Sequence, residues 1–226
     1  MSREHSRRGM NRLERQEDDL QLLVGAVGAL LPGVLYLILP ERFIAVGPPW
    51  LLLVIEALLV APPIVARVVL NRPLPYALTR TMALMLLVVV TAALISSVGL
   101  LVGSLGNHAL TGASLLRTAG LLWGVNIFSF ALWYWEIDCG GPLHRLSAHA
   151  TPDMPDFLFP QQVRPANQRW KPGFVDYIFL AFCFSTALSP ADTMPLTRRA
   201  KLLMMAQAVL SALVLVILVG RSVNIL

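Results

Sequence analysis

The chain has 226 residues, of which 56% are hydrophobic and only 14% charged, and its mean hydropathy is +0.67. Ordinary soluble domains carry about 25% charged residues, so a water-soluble globule of this size is excluded. The net charge of +5 reads first as a membrane-orientation signal, because Lys and Arg mark the cytoplasmic face of membrane proteins, and nucleic-acid binding is set aside.

Residues 1–19 form a polar tail in which Arg3, Arg7, Arg8, Arg12 and Arg15 precede Glu17, Asp18 and Asp19. The tail is expected to be solvated, with one or two helical turns at the membrane surface. The apolar run after it is longer than the core of a secretory signal and no small-residue cleavage site follows. Spans are predicted over residues 20–39, 50–70, 82–105 and 113–135, together a four-helix transmembrane region over 20–135. Blocks of about 20 apolar residues cross a hydrocarbon core of about 30 Å at 1.5 Å per residue. Residues 136–173 are polar and rich in breakers, among them Gly140, Gly141, Pro142, Pro152, Pro155 and Pro160, and read as a proline-rich loop. A short apolar segment over 174–188 and a long one over 202–218 complete a C-terminal module, 174–226. Only helices satisfy the backbone in lipid without a closed barrel. The expected fold is therefore an all-α polytopic transmembrane bundle of about six hydrophobic segments, the fifth short enough to be re-entrant.

Lys and Arg decide the orientation. If the fifth segment spans, 13 of the 18 basic residues lie on the N-terminal side; if it enters and leaves on one side, Arg198, Arg199 and Lys201 join them and Arg221 leaves, giving 15 against 3. Both arrangements put the N-terminus inside a cytoplasmic (inner) membrane, and the second is the more polarised.

Small residues come next. Gly99/Gly103, Gly120/Gly124 and the group Gly25, Gly28, Ala29 form faces that let helices approach closely. Packing within one bundle is the ordinary use of such faces, and a homo-oligomer through Gly99/Gly103 or Gly120/Gly124 is the other. Glu56 is a lone carboxylate inside the second span, and Arg67 follows eleven residues later, about 16 Å along the helix. Pro62 and Pro63 between them should kink or end the helix. A charge at this depth costs about a few kcal/mol and needs a partner or a cavity. Glu56 is thus either a proton or cation ligand or a helix-bridging acid.

Asn126 reads as a helix-bridging hydrogen-bonder, and Trp50, Trp123, Trp133, Tyr134 and Trp135 as an interfacial belt. Glu136, Asp138 and Asp153 read as solvated loop charge. Cys139 and Cys183, with His108, His144 and His149, lack any metal-ligand spacing, and no cofactor is implied. The chain carries no phosphate-binding loop, dinucleotide fingerprint or nucleophile elbow, and no nucleophile, base and orienting group can be assembled within the spans. An enzyme is not expected.

The C-terminal module is the most specific region. Asp176 falls in the first turn of a short aromatic helix, where it complements the helix dipole. Gln207 and Ser211, four residues apart, share one face of the last helix. The run from Asp176 through Phe182, Thr186 and Asp192 to Pro195 and Thr197 resembles the pore helix, filter and inner helix of the potassium-channel superfamily, in which an aromatic helix ends in Thr-Thr-Val-Gly-Tyr-Gly-Asp-x-x-Pro-x-Thr. Where those filters carry Val-Gly-Tyr-Gly this chain has Leu188, Ser189, Pro190 and Ala191. A run of inward-pointing carbonyls depends on those glycines, so the resemblance implies a degenerate pore. The whole chain also resembles a family of uncharacterised bacterial inner-membrane proteins, through Asp176-Tyr177, residues 182–186, Ser189, Asp192, Arg198-Arg199, Gln207, Ser211 and Val223-Asn224. That family implies no activity.

The leading expectation is a channel-like pore or ion sensor in which Thr186, Ser189, Asp192, Gln207 and Ser211 meet a small ion, with Glu56, Arg67 and Asp176 as further membrane charges. A non-catalytic accessory subunit is the alternative and a small-solute transporter the third. The bilayer is the one partner composition demands.

Overall fold

A computed structural model describes residues 2–70, 72, 74–104, 111–145, 155–163, 170–186 and 192–223, with side chains described from Asp19 to Gly220 within those ranges. The chain is an all-α polytopic bundle. Helix α1 covers Ser2–Leu37, α2 Trp50–Ile64, α3 Tyr76–Gly103 and α4 Gly112–Ile137. A single turn, α5 (Pro142–Arg145), precedes α6 (Phe174–Ser185) and α7 (Arg198–Val223). Five of these helices contain stretches long and apolar enough to cross a membrane: Asp19–Leu37, Trp50–Val69, Tyr76–Gly103, Gly112–Gly140 and Arg198–Gly220.

The boundaries show where local chemistry overrides a hydropathy reading. The N-terminal tail is continuous with the first span: α1 runs 36 residues, because Arg, Glu, Gln and Leu are good helix formers and no proline interrupts them before Pro32. Pro62 and Pro63 do not end α2. They pass within it, and the ladder opens into a π-turn over Val65–Val69, with Leu70 N donating to Val65 O at 3.0 Å. Proline removes an amide donor and crowds the preceding turn, and a wider turn is one way to absorb that.

Helix α4 is the central post, packed against α1, α3, α6 and α7, and 61% of its span is buried. Helix α7 separates its two faces cleanly. Ala200, Met204, Gln207, Ser211, Val214 and Ile217 point inward, while Leu202, Met205, Val209 and Val216 are exposed. An outward face of large aliphatic side chains on a long helix is the surface lipid requires and water opposes.

Close approach of α1 to its neighbours rests on its small residues. A Cβ at Gly25 would sit 1.9 Å from the Trp135 ring, one at Gly28 2.0 Å from Phe174, and one at Gly33 2.8 Å from the Leu53 Cα. The Trp135 and Phe174 rings in turn meet edge to face at 5.2 Å. Gly99, Gly103 and Gly120 differ: a Cβ on any of them meets nothing within 4 Å among the described residues, and Gly124 faces Leu35 within the bundle. Trp135 is thus a core residue, not a member of an interfacial belt. Trp133 is half-buried and donates to Thr91 Oγ1 at 2.8 Å.

Candidate functional site: a short helix between a polar ring and a buried polar ladder

One end of the bundle gathers a ring of paired polar groups. Asp19 at the start of the first span accepts from Arg67 Nε at 2.9 Å. Arg80 at the start of α3 donates through Nη1 to Glu136 Oε1 at 2.7 Å and to the carbonyls of Glu136 and Gly140 at 2.5 and 2.9 Å. Asp138, 1% exposed, accepts from the amides of Asp156 and Phe157 at 2.7 and 3.3 Å and from the Tyr177 hydroxyl at 2.5 Å. Arg145 donates to the carbonyls of Trp135 and Asp138 at 2.9 and 2.5 Å and lies over the Tyr177 ring. Arg199 clamps Asp156 with two bonds of 2.6 Å, and Thr197 Oγ1 donates to the same carboxylate. A minimal sheet, β1 (Phe157–Leu158) against β2 (Met194–Pro195), closes the ring.

Glu136 and Asp138 are therefore not solvated loop charge. They belong to the buried last turn of α4 and the 3₁₀ turn after it, Glu136 paired with Arg80 and Asp138 hydrogen-bonded by two amides and a phenol; Asp153 lies outside the described residues. Burial pushes the Tyr177 phenol well above its ordinary range, and Asp138 beside it acts in the same direction. Burial also raises the carboxyl of Asp176, against the opposing pull of the Gly173 amide.

The ring fixes the path of α6. Tyr177, in its first turn, meets Asp138, and Thr197 and Arg199 at the start of α7 meet Asp156, so the chain enters and returns at the same end of the bundle. Twelve residues carry α6 about 18 Å inward. Its far end stops beside a second polar group deep in the bundle. Asn126 Nδ2 donates to Ser211 Oγ at 2.5 Å, and Ser211 Oγ donates to Ser185 Oγ at 3.3 Å. One turn closer to the ring, Gln207 Nε2 donates to Ala181 O at 2.8 Å, and the Tyr134 hydroxyl donates to Gln207 Oε1. Asn126 precedes Asp138 by twelve residues, and Ser211 follows Arg199 by twelve. Both therefore lie about 18 Å along their helices from the ring.

Of the residues singled out from sequence, Gln207 and Ser211 share this ladder. Thr186 caps α6, its hydroxyl donating to the carbonyls of Phe182 and Cys183 at 3.0 and 3.2 Å. Asp192 is exposed on the return path with a left-handed φ of 49°. Ser189 lies outside the described residues, as do the neighbouring residues 187, 188, 190 and 191. Asp176 Oδ2 accepts from Gly173 N at 2.8 Å and starts the helix. Glu56 and Arg67 stay apart. Arg67 turns to Asp19, and Glu56 Oε2 accepts from Gly33 N at 3.0 Å on α1, one residue after Pro32.

Three buried side-chain polar atoms find no partner among the described residues: the acceptors Asn126 Oδ1 and Glu56 Oε1, and the indole donor Trp123 Nε1. In lipid such an orphan acceptor costs on the order of 1–3 kcal/mol, which makes each a place where a proton or a cation is welcome. Among the described residues no cluster of three or more His, Cys, Asp or Glu side chains could hold a metal.

Sequence reasoning missed Tyr134, Arg145, Asp156 and Thr197 as ring or ladder members, and read Tyr177 and Arg199 without their partners. Two signals were present. No Gly or Pro separates Trp135 from Asp138, so α4 could run on to the carboxylates. The run Phe157-Leu158-Phe159 is apolar in an otherwise polar loop and must pack back on something. Comparison with protein-family models, curated proteins and solved structures returns no match.

Proposed function

We propose that this is a non-enzymatic protein of a bacterial cytoplasmic membrane whose C-terminal module binds a small cation at the inner end of α6, in ion passage or ion sensing. The observation that carries the reading is a twelve-residue helix that starts at the ring and stops beside the unpaired Asn126 Oδ1, a depth we place near mid-bilayer. The C-terminal end of a helix carries about half a negative charge. Here it points into the ladder, where hydroxyls of Ser185, Thr186 and Ser211 add further oxygens. Oxygen atoms and a negative dipole end are what a hard cation seeks in lipid. The described side chains of the ladder bond one another, which fits a closed state or a sensor.

With a cytoplasmic N-terminus and a re-entrant fifth segment, 15 of the 18 basic residues fall on the cytoplasmic side, a more polarised distribution than the 13 of a spanning segment, and we adopt that arrangement. The proposal is tested by potassium and sodium flux into proteoliposomes: flux above protein-free vesicles that Asn126→Leu abolishes is the expected result, and wild-type vesicles as tight as empty ones contradict it.

A second reading is favoured by one observation. The Gly99, Gly103 and Gly120 surfaces are covered by no described residue, which suits association with another membrane helix, from a second copy or from a partner that this chain serves as an accessory subunit. Transport through Glu56 has narrower support: Gly33 holds Oε2 and leaves Oε1 unpaired, but no described side chain bonds the carboxylate to extend it into a ladder.

A further inference from the structure

A cavity separate from the α6 ladder lies between α1, α2, α3 and α4, with about 940 Å³ of empty space including its open mouth. Its walls are apolar, built from Gly25 and Ala29 of α1, Leu59 of α2, Ala83 and Leu87 of α3 and Trp135 of α4. Small side chains on α1 and α3 are what leave it open. Its polar groups are confined to one end, where Arg67, Thr79, Arg80 and Glu136 line it. That end is the surface ring. From Asp19 to Ala29 the wall descends about 15 Å, half of a hydrocarbon core of about 30 Å.

An apolar slot one leaflet deep, with cations at headgroup level, has the polarity profile of a bilayer lipid. The two acids beside the mouth are already engaged, Asp19 by Arg67 and Glu136 by Arg80. Each guanidinium has five N–H donors. Arg67 uses Nε, and Arg80 uses Nη1; the Nη groups of Arg67 and the Nε and Nη2 of Arg80 bond no described residue. Gly141 keeps this corner open, since a Cβ there would sit 2.5 Å from Arg80 Nη1 and 3.0 Å from Glu136 Oε1.

We infer that this cavity is a binding site for an anionic glycerophospholipid of the leaflet on the ring side, with one acyl chain in the slot and the phosphate on Arg67 and Arg80. Forked guanidinium groups match phosphate oxygens in pairs, and Arg at the bilayer surface adds attraction for anionic lipid.

The test uses full-length protein in phosphatidylcholine vesicles doped with phosphatidylglycerol that bears a photoactivatable diazirine on one acyl chain. Cross-linked peptides should map to the slot walls around Leu59 and Ala83. Ala83→Phe and Ala26→Phe fill the slot from α3 and α1, and each should cut that labelling by about tenfold. Ala26→Phe reads out independently should Ala83→Phe fail to fold. Unlabelled phosphatidylglycerol should compete better than diacylglycerol in the wild type, and Arg67→Gln should remove that advantage. Labelling confined to the outward face of α7, labelling unchanged in a folded slot-filling variant, or equal competition by diacylglycerol would each overturn the assignment.

Discussion

At the scale of single residues, the asymmetry of the Asp156–Arg199 pair carries the sharpest expectation. The Asp156 side chain is 0% exposed and that of Arg199 is 55% exposed. Removing the arginine leaves the buried carboxylate with Thr197 as its remaining side-chain donor, at a cost below the about 3–5 kcal/mol of a fully buried pair because Arg199 is itself half-exposed, whereas removing the acid leaves an arginine that still donates to Ile137 O and can be solvated by water or headgroups. Arg199→Ala should therefore lower the melting temperature in detergent more than Asp156→Asn, and the double variant should recover part of the loss. Equal losses in all three would contradict the burial assigned to Asp156. Glycines divide in the same manner. Gly25→Ala and Gly28→Ala drive a Cβ into Trp135 and Phe174, an overpacking worth about 1–3 kcal/mol. Gly99→Ala meets open space and should leave the monomer's melting temperature unchanged or slightly raised.

The residue scale is also where the sequence was least legible. Pairing of Glu136 with Arg80, or of Asp138 with Tyr177, joins residues 56 and 39 positions apart, and no local pattern specifies such partners. Spacing did place Gln207 and Ser211 on one face, because four residues make about one helical turn. The aromatic residues around Trp135 misled for a physical reason. A Trp near a membrane boundary satisfies either an interface or a glycine groove, and the groove, set by Gly25 on α1, is not visible from Trp135's own neighbourhood.

At the scale of elements, hydropathy located the five long helices because a membrane demands long uninterrupted apolar runs. It could not see that the polar tail continues α1, since helix continuity depends on propensity and not on burial. The length of the fifth segment and the basic residues after it leave spanning and re-entry both open, and the ring contacts of Tyr177 and Arg199 put the two flanks of the helix at one end of the bundle. Between elements, the Asn126–Ser211–Ser185 chain is the expected tie of α4, α7 and α6. Interhelical hydrogen bonds in membranes contribute about 0.6–2 kcal/mol, so Ser211→Ala should cost about 1 kcal/mol in reversible unfolding in mixed micelles. Gln207→Leu should cost more, because it leaves the Tyr134 hydroxyl unpaired inside the bundle and removes the side-chain donor to the Ala181 carbonyl as well. A smaller loss for Gln207→Leu than for Ser211→Ala would place the tie elsewhere.

At the scale of the whole molecule, the body is polarised: a ring of paired charge at one end, exposed aliphatic faces along the sides, and a short helix that runs inward from the ring, after which the chain is back at that end. The most direct measurement of this is the sidedness of single cysteines at Lys171, Arg198 and Arg117, introduced in a background with Cys139 and Cys183 replaced, and probed in oriented vesicles with a membrane-impermeant maleimide. Lys171→Cys and Arg198→Cys, which flank α6, should label from the same face, and Arg117→Cys from the opposite one. Labelling of Arg198→Cys together with Arg117→Cys would mean that α6 crosses the membrane, and would contradict the re-entrant architecture on which the proposed ion site depends.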